Sequence, residues 1–160
     1  MANTYRKVDI MSIANGKNPI MPLIGMSTRT ITDGGVTVTR HHKLATKGYS
    51  IATGTVEVKT PISLYEIEKA IEFVSGVLNR SINGMRGVEY RDPDDKYLGI
   101  GTWITDDKTA CVTELVHIYP ESWMSEDEAR YIGRIRKQYA IYHLSDKRMI
   151  KTGYSETYQG

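Results

Sequence analysis

Cysteine, phenylalanine and long apolar runs are what this chain has least of. Its single cysteine, Cys111, excludes an internal disulfide and any zinc site built on several thiolates. No stretch approaches the ~18–20 apolar residues that span a bilayer. Asp9, Asn15 and Lys17 interrupt every apolar run near the start, so the sequence predicts no signal peptide, no membrane contact and a cytoplasmic protein. Glycine-rich phosphate fingerprints are missing too. Gly84-Met85-Arg86-Gly87 and Gly99-Ile100-Gly101 lack the required spacing. The four histidines show no His-x-His or His-x-x-x-His pattern, so no zinc ligand set is predicted.

What is present fits one globular domain. The chain has 160 residues, 40% hydrophobic and 25% charged, which is long enough to bury an ordinary core. Charge is unevenly distributed. Residues 1–60 hold eight Lys/Arg against three Asp/Glu, residues 61–128 six against fourteen, and residues 129–160 seven against two. The +5, −8, +5 order predicts either distinct charged faces or neutralisation within the domain or across a subunit contact.

Hydrophobic periodicity divides the chain into elements. Residues 1–19 form an arm or short element, 20–144 a single domain, and 145–160 a polar tail. Ile20 to Ile31 reads as a strand after Pro22. Val36 to Lys43 alternates at period two, and β-branched density marks Tyr49 to Lys59 as a strand. The Ser63 to Glu66 capping box opens a helix with Leu64, Ile67, Ile71, Val74 and Leu78 as one stripe, ending near Arg80. Residues 81–95 form a loop, in which Asp92, Asp94 and Asp95 are solvated. Tyr97 to Thr105 and Thr109 to Tyr119 make a hairpin about Asp106-Asp107-Lys108. Ser125 to Glu128 then caps a helix burying Ala129, Ile132, Ile135 and Tyr139. The fold class is α+β, an antiparallel sheet of hairpins with two capped helices on one face.

Three groups of residues carry chemistry. Gly54-Thr55-Val56-Glu57-Val58-Lys59 places Glu57 and Lys59 on one face of a strand. This resembles the acid-x-lysine half of the restriction-endonuclease-like nuclease superfamily. The resemblance implies that Glu57 helps hold a divalent cation and Lys59 supports the attacking water, with Asp33 as the second carboxylate. Arg40, His41, His42, Lys43 and Lys47 form one basic cluster, and Arg134, Lys137 and Arg148 another, both suited to anions. Tyr131, Tyr139, Tyr142, Tyr154 and Tyr158 belong to a set of eleven tyrosines against one phenylalanine and two tryptophans. Tyrosine combines contact area with a polar handle and is enriched at interfaces.

The sequence therefore points to a non-enzymatic binding or assembly protein without a cofactor. It self-associates and presents a basic, tyrosine-rich surface to a nucleotide, a nucleic acid or an acidic protein surface. The alternatives are a small metal-dependent nuclease or phosphoesterase using Glu57 and Lys59, and a structural component of a larger assembly such as a virus particle.

Overall fold

A computed structural model describes residues 23–85 and 97–156. The expected arm at 1–19, the aspartates at 92–95 and Tyr158 lie outside them. The elements in chain order are α1 (Leu23–Asp33), β1 (Gly35–Thr39), β2 (Tyr49–Thr60), α2 (Leu64–Met85), β3 (Leu98–Ile104), β4 (Cys111–Tyr119), α3 (Glu126–Ile135), β5 (Ala140–His143) and β6 (Arg148–Lys151). The six strands form one antiparallel sheet in the order β1-β3-β4-β2-β5-β6. Among the described residues three helices, not two, pack on one face of this sheet.

The additional helix is α1, where a strand was expected. Its threonines and isoleucines favour extended backbone locally, but burial decides otherwise. Met26 and Thr30, one helical turn apart, are both fully buried. The Thr30 hydroxyl donates to the Met26 carbonyl at 2.7 Å and meets the Thr102 hydroxyl at 2.6 Å, so its polar group is satisfied within the helix and against β3. β1 and β2, though consecutive, do not pair as a hairpin. Residues 40–48 carry the chain from β1, at the sheet edge, across to β2, so β1 pairs with β3 instead.

α2 follows its apolar stripe. Ile67, Ile71, Val74 and Leu78 pack with Met26, Val38, Ile100 and Leu115 in the larger core, and the helix runs past Arg80 to Met85. The Glu66 N–H donates to Ser63 Oγ at 3.1 Å, but the Ser63 N–H goes to the Pro61 carbonyl, which replaces the return arm of the capping box. At α3 the box is complete. Ser125 Oγ accepts from the Glu128 N–H, and Glu128 Oε1 accepts from the Ser125 N–H.

α3 is shorter than the sequence pattern implied, and it is rotated. It stops at Ile135 because Lys137 adopts a left-handed φ of 60°, and β5 and β6 follow. Its inward residues are Ala129 and Gly133, while Ile135 and Tyr139 are 59% and 57% exposed. The small residues allow close approach. A Cβ on Gly133 would lie 2.6 Å from Ile141 Cγ2 and 2.8 Å from Thr152 Cγ2. Gly133→Val is therefore expected to destabilise the fold by about 2 kcal/mol, overpacking outweighing the gain in helix propensity. A urea midpoint at or above the parent's would contradict this close docking.

The expected polar tail is also corrected in part. Arg148–Lys151 pairs with β5, Ile150 is 3% exposed, and Thr152 is fully buried. Tyr49, Ile51, Tyr119, Ala129, Ile141 and Ile150 form the second core, under α3.

Candidate functional site

The β2–β4 register creates the first notable cluster. Glu57 lies directly opposite Glu114, on the sheet face away from the helices, just beyond an irregularity between Ala52 and Glu57. Trp103 Nε1 donates to Glu114 Oε2 at 3.1 Å. Glu114 stands between Val112 and Val116 along that face, both nearly fully buried. Burial pushes the Glu114 carboxyl up to about 7. The Trp103 N–H opposes the shift and the Glu57 charge adds to it. Lys59, exposed, pairs with Val112 two residues along the same face.

Asp33 is not part of this cluster. It ends α1 beside β1, and β3 and β4 separate β1 from β2. Three strand spacings make about 14 Å, so a cation cannot bridge Asp33 and Glu57. The carboxylate that the structure sets beside Glu57 is Glu114, a pairing of residues far apart in sequence. Among the described residues, no group of three or more His, Cys, Asp or Glu side chains gathers to hold a metal ion. Cys111 is fully buried, and that burial raises its thiol pKa, which makes it a poor nucleophile.

The basic residues separate into two places. Arg40, His41, His42, Lys43 and Lys47 lie in the β1–β2 connection, where Thr39 N donates to the Lys43 carbonyl and His42 takes a φ of 61°. Burial, with His41 adding, lowers the His42 pKa, so His42 brings little positive charge at neutral pH. In the second group, Arg148 is ion-paired with Glu126 and, at 3.3 Å, with Asp146. Arg134 Nη1 donates to the Thr152 carbonyl at 3.3 Å, and Lys137 is exposed.

A third cluster, unmarked by any sequence motif, surrounds His143. Its ring stacks on Tyr49 at 4.7 Å, with Nε2 at 2.9 Å from Glu121 and Nδ1 at 3.0 Å from Asp146. Ser145 and the Gly48 N–H also donate to Glu121. These bonds hold Glu121 below the usual carboxylate range, the Ser145 bond contributing most. The network ties the β5–β6 turn to the end of β4 and the start of β2. Ser145 bonds to Glu121, not to His143, so the group is a structural clasp without a nucleophile–base contact.

The tyrosines divide between the two faces of the sheet. Tyr142 lies on the helix-free face. Tyr131 and Tyr139 lie on the α3 side, 54% and 57% exposed, and the Tyr139 ring meets Tyr154 at 5.2 Å. Trp123, which the sequence did not single out, and Ile135, which was expected in the core, join them at 46% and 59% exposure. Trp123, Met124, Asp127, Glu128, Tyr131 and Ile132 line a groove of about 380 Å³. An exposed tryptophan close to the tyrosines was the one available signal, since helix rotation cannot be read from composition.

No helix among the described residues is long and apolar enough to cross a membrane. No protein-family model, curated protein or solved structure matches this chain, so its function is argued from its own residues.

Proposed function

We propose that this chain is a non-enzymatic assembly protein that self-associates and offers a tyrosine-rich surface to a protein partner. The observation that carries this reading is the exposure, by about half, of Trp123, Tyr131, Ile135 and Tyr139 within one short stretch around α3. Scattered single exposed apolar residues are ordinary, whereas a contiguous patch rimmed by charge marks an interaction site. A protein partner is favoured over an anion because the exposed aromatic residues gather around α3, while Arg148 of the second basic group is already paired. Sedimentation velocity from micromolar to submillimolar concentration is expected to show reversible association, weakened at high salt where rim charges contribute. A monomer across the whole range would refute the reading.

A second reading, metal-assisted phosphodiester cleavage, draws support from Glu114 facing Glu57 beside Lys59. Two carboxylates are a sparse ligand set for a hard cation, so this reading ranks below assembly. It requires magnesium- or manganese-dependent nicking of a plasmid that Glu57→Gln and Lys59→Ala each abolish, and absence of nicking would end it.

A further inference from the structure

The solvent side of α3 has a charge order that complements itself. Opposite buried Ala129 and Gly133, it presents Asp127 and Glu128 in the first turn, Tyr131 in the middle, and Arg134 with Ile135 in the last turn. At 3.6 residues per turn these five positions fall within about 120° of arc. Arg134 is anchored by donation to the Thr152 carbonyl and lies over the Tyr131 ring at 5.8 Å, so its charge is held beside the centre of the face. Acid first and base last repels a parallel copy and matches an antiparallel one.

We infer that two copies of this chain form a two-fold dimer in which their α3 helices cross antiparallel with Tyr131 on the axis. The inference rests on the self-association proposed above and specifies its geometry. Residues on the same side of Tyr131 and at similar distances before and after it face each other, so Asp127 of one copy meets Arg134 of the other. The pair occurs twice, as an isologous contact requires. The helix dipoles oppose each other favourably. The Trp123 end of each α3 element approaches the Tyr139 end of its partner, giving aromatic contact at both margins.

Size agrees with this arrangement, and the helix-free face offers a poorer one. Large side chains bury ~150–250 Å² each, so four that are half open supply about 400 Å² per copy. The resulting total of ~800 Å² before the charged rim is at the low end for specific contacts, and the dimer is accordingly weak and reversible. The helix-free face also exposes Trp103, Tyr142 and Met149. There β3 and β5 lie three strand spacings, about 14 Å, apart, and no charge order links the apolar residues.

Charge exchange tests the geometry. Asp127→Arg and Arg134→Glu each place two like pairs in the homodimer, and each is expected to weaken it at least about tenfold. Mixing the two variants restores attraction at both pairs, so a heterodimer of near parental affinity should form, and the double variant should again self-associate. Asp127→Arg also removes the ion pair with Arg130 of its own copy and puts positive charge in the first turn of α3, so far-UV circular dichroism must accompany it. Tyr131→Lys, outside the cap, should dissociate the dimer independently by placing two ammonium groups on the axis. If the parent chain dimerises while these variants dimerise equally well, the α3 geometry is wrong and self-association stands. If the parent is monomeric at submillimolar concentration, both are wrong.

Discussion

Glu114→Gln is expected to stabilise the fold by about 2 kcal/mol at pH 8 and to change little at pH 4.5. The carboxyl of Glu114 has a pKa raised to about 7 by burial between valines on the helix-free face, with Glu57 opposite and the Trp103 N–H on one oxygen. For an acid whose folded pKa lies above its unfolded value, the unfolded chain ionises first. Below the unfolded value of 4.5 both states are protonated and the site costs nothing. Between that value and about 7 stability falls with rising pH, and above it the whole cost is present. At about 1.4 kcal/mol per unit the shift corresponds to ~3 kcal/mol, reduced to ~2 because the side chain is partly exposed.

Glutamine keeps an oxygen for the Trp103 N–H and has no charge to desolvate. Urea denaturation of both chains at pH 4.5 and pH 8 would reveal the difference, and equal midpoints at pH 8 would show that the ionised carboxylate is not penalised. Glu121, Glu126 and Glu128 act oppositely. Their pKa values are lowered by the Ser145, Arg148 and Ser125 bonds respectively, so the stability they add at neutral pH is lost as pH falls through those lowered values. Removing Glu114 should therefore leave acid unfolding in place while lifting the neutral and alkaline side of the profile.

Ending the chain after Leu144 is expected to cost about 4 kcal/mol or more, enough to unfold a domain of ordinary stability at moderate temperature. The cut removes β6 and with it Ile150, which is 3% exposed and pairs with Ile141. Truncating one buried isoleucine to alanine alone costs ~2–5 kcal/mol. Thr152 is lost as well. It is fully buried against α3 at Gly133, its hydroxyl donates to the Gln138 carbonyl, and its N–H donates to the Tyr139 carbonyl at 3.1 Å. Arg148, which holds Glu126, goes too, as do Ser145 and Asp146, which hold Glu121 and His143, and β5 becomes an unpaired edge. Thermal unfolding by circular dichroism, with Ile150→Ala as the milder comparison, should show both variants below the parent and the truncated chain lowest. A truncated chain as stable as its parent would mean that β6 contributes nothing to the second core.

Local chemistry alone determined the elements whose cause is local. α2 follows from its apolar stripe and the Ser63 cap, β3 and β4 from period-two alternation about a turn where Asp107 accepts from Thr105 and Thr109, and the start of α3 from its capping box. The α+β class with helices on one face follows from those elements and the need to cover one side of a sheet. Contacts between distant residues decided the rest. Thr30 against Thr102 made α1 a helix where its own propensity favours a strand. Strand order put Glu114 opposite Glu57 and left Asp33 three strands away. The close docking of Gly133 on Ile141 and Thr152 turned Ile135 and Tyr139 outward, creating the exposed face on which the functional proposal stands. Periodicity records which residues share a side of an element, but only packing against partners tens of residues away decides which side is covered, and that is why the candidate interface was set by tertiary structure.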